Sequence, residues 1–266
     1  MSSTLQIFLL AFLGSIIALA GGAIFLFNKT WSKRLEEHSV PFAAGVLLTV
    51  ALLGLLPEAV HEIGEKAFLF VLLSFVGAYL FEHTFFQVHH HDHHIPGHTK
   101  SYNSAIPLII IGDTIHNFID GVAIASSFLV APGLGLITAI STFLHEVPHE
   151  VSDFGLLLKA GWDKKRVLLV NVFSASLTIV GAFSVILFLQ DGPAVGILLS
   201  ISAGMFLYLG ASDFLPHIDE GGKKPIVAIA PFLIGIIIMI LTFSAVPHSR
   251  DNDTKLENNG RQEDTR

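Results

Sequence analysis

Eight apolar runs, each about the length of a membrane-spanning helix, constrain this chain more than any other feature. A helix needs about 20 apolar residues to cross a bilayer. The runs fall at residues 5–27, 41–60, 67–87, 105–130, 133–160, 167–189, 194–216 and 226–246. Only 14% of the residues are charged, against about 25% in an ordinary soluble protein. The charges sit in short connections and in the C-terminal stretch. The expected fold is an all-α integral membrane protein with eight transmembrane helices. The first run has no basic stretch before it and is long enough to span, so it reads as a helix that stays rather than a signal peptide.

Basic residues set the orientation. Lys29, Lys33, Arg34, Lys100, Lys159, Lys164, Lys165, Arg166, Lys223 and Lys224 fall on connections of one side, whereas the other side carries Lys66. The positive-inside rule then places both termini outside the cytoplasm. Residues 1–247 read as one eight-helix domain with a cytoplasmic loop at 88–104. Residues 248–266 read as a polar, disordered tail. The net charge of −7, with no basic stripe, excludes nucleic acid as a partner; the lipid bilayer is the expected surroundings.

The fourth and fifth runs break the apolar pattern. The fifth contains His145-Glu146-Val147-Pro148-His149-Glu150 and then Asp153. On a helix His145, His149 and Asp153 line one face, with Glu146 and Glu150 beside them. The fourth contains Asp113, His116, Asn117 and Asp120, again at helical spacing. Ionisable groups within a span are expensive and mark function by default. One such residue per helix would fit an interhelical hydrogen bond, but this density points to metal. The chain has no cysteine, so imidazole, carboxylate, amide and water must do the binding. That donor set suits Zn²⁺ best and accepts Fe²⁺, Mn²⁺ or Co²⁺. A metal site between helices four and five follows, with Asp113 and Asp153 also able to orient histidines. Pro148 should kink its helix, because it frees the carbonyl of Leu144.

Polar residues elsewhere carry less weight. The loop between runs three and four holds His89, His90, His91, His93, His94 and His98, a flexible chelator suited to cytoplasmic metal capture. Glu58, His61 and Glu62 close the outer end of run two; Asp213 and His217 flank the inner end of run seven. Asn171 and Thr178 read as interhelical hydrogen-bonding groups. Gly21, Gly22, Gly45, Gly204 and Gly210 allow close helix packing.

The stretches His116-Asn117-Phe118-Ile119-Asp120-Gly121 and His145-Glu146-Val147-Pro148-His149-Glu150 resemble the ZIP (Zrt/Irt-like) divalent metal transporters, the second of them the LIV-1 branch. The resemblance implies a transporter rather than an enzyme, importing divalent cations, Zn²⁺ first and Fe²⁺, Mn²⁺, Co²⁺ or Cd²⁺ besides; with no targeting segment read in the chain, the expected location is the cell (plasma) membrane, as a multi-pass protein. The resemblance also implies a binuclear site. The first position maps onto His116, Asp120, His145 and His149, and the second onto Asn117, Glu146 and His149. Many members add a carboxylate where this chain has Thr178. Asp113, Glu150, Asp153 and Thr178 are then second-layer or gate positions. Many members also form dimers, so a homodimer partner is part of the expectation. A competing reading takes His145-Glu146-Val147-Pro148-His149 as the H-E-x-x-H motif of an intramembrane zinc protease, with Glu146 as base. A metal-sensing scaffold would bind cation without flux.

Overall fold

The computed structural model describes residues 2–25, 29–86, 106–188, 193–218 and 225–248. The histidine-rich stretch at 89–98 and the tail beyond residue 248 lie outside the described residues. Those described form eight helical segments in order and no strand. The first, α1, covers residues 3–25 and includes a π turn at Leu13–Ile17. The second, α2, covers 29–63 with a π turn at Ala51–Leu55. Then come α3 (Lys66–Phe86), α4 (Ile106–Val130), α5 (Pro132–Lys159) and α6 (Lys164–Phe188). The seventh, α7, covers 193–218 and passes through a π turn at Leu209–Phe214 into a 3₁₀ turn at Leu215–Ile218. The last, α8, is Pro225–Ala245.

The breaks follow local chemistry. Gly64, at φ +67°, takes a left-handed turn between α2 and α3 that a side chain would disfavour. Ala131 is extended and alone separates α4 from α5, and the two helices fold back against each other. Pro132 opens α5, at a position where its missing N–H costs nothing. Asp163 starts α6: its Oδ1 accepts from the amides of Lys165 and Arg166, each at 3.0 Å.

One boundary differs from the sequence reading. The helix of α2 begins at Lys29 rather than near Pro41, so Lys29, Lys33 and Arg34 are helical rather than loop residues. Hydropathy marks where a helix meets apolar surroundings, and a helix can run on past that point. Through Pro148, α5 is continuous from Pro132 to Lys159. Six segments are long and apolar enough to cross a membrane, namely those within α1, α2, α3, α4, α6 and α7. The second half of α5 carries Glu146, Glu150 and Asp153, and the apolar part of α8 is shorter, Ile229–Ala245.

Packing explains how α5 can hold its charges. It contacts α1, α2, α4 and α6, and His145, Glu146, Glu150 and Asp153 are all buried. Peripheral α3 is the opposite case: only 11% of its apolar window is buried, and Phe68, Leu69, Leu72 and Leu73 face outward. Two crossings are held by reciprocal glycines. A Cβ on Gly121 would overlap the carbonyl oxygen of Thr178, and one on Gly181 that of Phe118, where α4 meets α6. Gly45 and Gly235 stand likewise against Phe232 and Phe42 where α2 meets α8. Backbones this close maximise van der Waals contact where the hydrophobic effect is weak. Gly121 and Gly181 set the distance between α4 and α6, and α4 carries half of the polar cluster.

Gly121→Ala should therefore cost on the order of 3 kcal/mol through overpacking. It should lower the thermal unfolding midpoint of the purified protein in detergent. Gly77→Ala, where a Cβ meets nothing within 4 Å, is the control and should leave the midpoint in place. Equal midpoints for the two variants would contradict the close crossing.

Candidate metal centre

Because α4 and α5 run antiparallel from a one-residue turn, residues at similar distances from that turn, to within about one helical turn, come together. His116 and Asp120 of α4 thus face His145 and Glu146 of α5. One ligand atom from each of these four lies within 4.8 Å of the other three. All four side chains are buried. The His116 Nε2 atom lies 3.0 Å from Glu146 Oε1 and 3.2 Å from His145 Nε2. The His145 Nε2 atom lies 3.2 Å from Asp120 Oδ2 and 3.7 Å from Glu146 Oε1. Ligands about 2.0–2.1 Å from a tetrahedral Zn²⁺ sit roughly 3.3 Å from one another. The observed spacings bracket that edge length.

Hydrogen bonding points the same way. The Nδ1 atom of His145 lies 2.8 Å from the carbonyl oxygen of Ser141. A carbonyl only accepts, so Nδ1 carries the proton and Nε2 keeps its lone pair for a cation. Neither oxygen of Asp120 and neither oxygen of Glu146 has a hydrogen-bond partner, nor does His116 Nδ1. A buried carboxylate without donors is costly, and a divalent cation among these atoms would remove that cost.

A second group lies beside the first. Ligand atoms of Asp113, His149 and Asp153 also fall within 4.8 Å of one another, with His149 Nδ1 at 3.6 Å from Asp113 Oδ1. The three imidazoles form a column. His116 stands between His145, at 5.2 Å between ring centroids, and His149, at 5.3 Å. Phe206 closes the His145 end at 5.6 Å and Phe214 the His149 end at 6.0 Å. Both phenylalanines belong to α7, whose π turn lies along the column.

The sequence-derived site residues divide accordingly. His116, Asp120, His145 and Glu146 come together, whereas His149 groups with Asp113 and Asp153. Asn117 is engaged on both ends of its amide. Its Nδ2 donates to Asp113 Oδ1 at 2.9 Å, and its Oδ1 accepts from Thr178 Oγ1 at 3.0 Å. Thr178 therefore makes the interhelical contact expected of it. Asn171 donates instead to Val167 O of its own helix, at 2.8 Å. Glu150 is buried against α1 beside Gly22, with both oxygens unpartnered. Glu58, His61 and Glu62, near the far end of α2, join neither group. The sequence puts Asp113 and Asp153 on the polar stripes and favours them as second-layer or gate positions. Their signal was present as the i+4 spacing of His149 and Asp153, but α4 had to be docked before Asp113 could be added.

The fold and the site define a helical membrane protein with a buried imidazole–carboxylate centre suited to a divalent cation. The sequence model of the ZIP zinc transporter family matches residues 89–242, and the chain belongs to that family. It is 34% identical over 137 residues to the zinc transporter foi of Drosophila melanogaster, covering 50% of this chain and 19% of that protein. Mouse zinc transporter ZIP10 is 39% identical over 122 residues, covering 43% and 14% of the two chains. The zinc transporter zipt-7.2 of Caenorhabditis elegans is 34% identical over 145 residues, covering 50% and 30%. The matched region thus spans less than a third of each of these relatives.

The unpartnered carboxylates generate a thermodynamic prediction. Glu146→Gln removes one buried charge, so the cation-free protein should be as stable as the parent or more so. The stabilisation that zinc confers on the parent, about 2.7 kcal/mol at a hundredfold excess over Kd, should shrink at the same zinc concentration. Thermal unfolding with and without zinc measures both. A zinc-induced shift of full size in Glu146→Gln would remove Glu146 from the ligand set.

Proposed function

We propose that this chain carries divalent cations, zinc foremost, across the cell membrane into the cytoplasm. The observation that carries the reading is the buried set His116, Asp120, His145 and Glu146, whose carboxylates have no hydrogen-bond partner, in a chain of the ZIP zinc transporter family. Two imidazoles and two carboxylates suit tetrahedral Zn²⁺, and Fe²⁺, Mn²⁺, Co²⁺ and Cd²⁺ are candidates by the same donors. The ligands replace the hydration shell that a cation loses in the bilayer. Neutral imidazoles temper the affinity, so that cargo can leave as well as bind. His149 and Asn117 complete the proposed path beside this position.

The proposal includes eight spans with both termini outside. Length and apolarity identify six; α5 is the seventh, because its carboxylates are hidden among α1, α2, α4 and α6, and α8 is the eighth. The distribution of Lys and Arg supports this orientation, which puts the histidine-rich stretch at 89–98 on the cytoplasmic side.

The protease reading is not supported. An H-E-x-x-H enzyme would hold zinc between His145 and His149 and keep Glu146 free as a base. Here His149 groups with Asp113 and Asp153, while Glu146 stands among the first set of ligand atoms.

Zinc uptake into proteoliposomes tests the proposal. His145→Ala and Asp120→Ala should each reduce uptake to the level of empty vesicles, at unchanged reconstitution. Uptake at the parent rate by either variant would overturn the assignment. Cleavage of a membrane substrate that depends on Glu146, without cation flux, would restore the protease.

A further inference from the structure

The second group, Asp113, His149 and Asp153, stands apart from the positions expected to hold a second cation. Those positions centre on Asn117 and on the residue that is Thr178 here. In this chain Thr178 brings no charge, and Asn117 is tied to it and to Asp113 through both ends of its amide. Charge and free lone pairs lie one helical turn away instead. Asp113 precedes Asn117 by a turn on α4, and Asp153 follows His149 by a turn on α5. Because the helices are antiparallel, both displacements point to the same end of the bundle. That end holds the start of α4 at Ile106 and the Lys159–Arg166 connection after α5.

Three further observations mark this place as built for a cation. Asp113 and Asp153 are buried, and each offers a ligand atom within 4.8 Å of one from His149. His149 Nδ1 is buried, makes no hydrogen bond and lies 3.6 Å from Asp113 Oδ1, so a ring nitrogen is aimed into the group. Glu150, only 1% exposed, has both oxygens unpartnered and lies within electrostatic reach of Asp113 and Asp153. Three carboxylates that close together repel one another in an apolar interior unless positive charge lies between them.

We infer that Asp113, His149 and Asp153 form a second binding position for the divalent cation, one turn from the first toward the His149 end of the imidazole column and displaced from Asn117 and Thr178. The inference rests on the transport reading and gives it a direction. A cation leaving His116, Asp120, His145 and Glu146 next meets a position with one imidazole and two carboxylates. His116 and His149, with rings 5.3 Å apart, are the adjacent ligands of the two positions.

The test counts cations bound to the purified full chain in detergent, with zinc as the probe. Asp153→Asn should bind one zinc fewer than the parent, Asp120→Asn should lose a different one, and the double variant should lose two. Any zinc held by the histidine-rich stretch is common to all four proteins and cancels. A second measurement does not depend on stoichiometry. The chain has no cysteine, so Asp153→Cys introduces a unique thiol, and cadmium at the site should produce a thiolate-to-cadmium charge-transfer band. Adding Asp113→Asn should weaken that band's cadmium affinity at least tenfold. An Asp120→Cys variant with the band, beside an Asp153→Cys variant without it, would overturn the second position and leave the first intact. Loss of the band in both would overturn the transport centre itself.

Discussion

Two buried carboxylates, Asp120 and Glu146, whose oxygens make no hydrogen bond and lie against the imidazole nitrogens of His145 and His116, are the constraint around which this structure is arranged. In an apolar bundle such oxygens are costly unless a cation visits them or a proton neutralises them. The helices around α5 keep water away. They enclose α5 so that His145, Glu146 and Glu150 have almost no exposure. The absence of competing donors leaves the same atoms open to a cation. A centre fully satisfied by protein hydrogen bonds would be more stable and would have less to offer zinc.

Orientation of the ligands depends on contacts that bind nothing. The Ser141 carbonyl fixes the tautomer of His145. Asn117 and Thr178 link α4 to α6 and draw the Asp113 carboxylate to one side. The Gly121–Thr178 and Gly181–Phe118 approaches hold α4 against α6 at backbone distance. A side chain at either glycine would move the His116–Asp120 stripe relative to α5. Helix packing and ligand geometry are therefore the same problem in this protein.

Along α7 the arrangement is graded. Phe206 lies against His145 and Phe214 against His149, so one helix borders both ends of the imidazole column. Its π turn covers Leu209–Phe214, beside the second group rather than the first. π turns interrupt the regular i→i−4 ladder and recur at functional sites. Here the turn carries Asp213 and Phe214 past His149.

Much of this was legible in the sequence. The helical character, the eight segments and the two polar stripes follow from periodicity and from the cost of burying charge. The pairing of α4 with α5 follows from the short turn at Ala131. Local spacing could also place His149 and Asp153 on one face. It could not say that His149 leaves His145 and joins Asp113, because that depends on the rotation of α4 about its axis, set by its contact with α6. Nor could it divide Glu146 from Glu150, which share a helical face in the sequence but meet α4 and α1 respectively in the fold. The sequence by itself determined which atoms could bind a cation. Only the packing of helices decided which of them stand within reach of one another, since ligand distances are set by contacts between segments far apart in the chain.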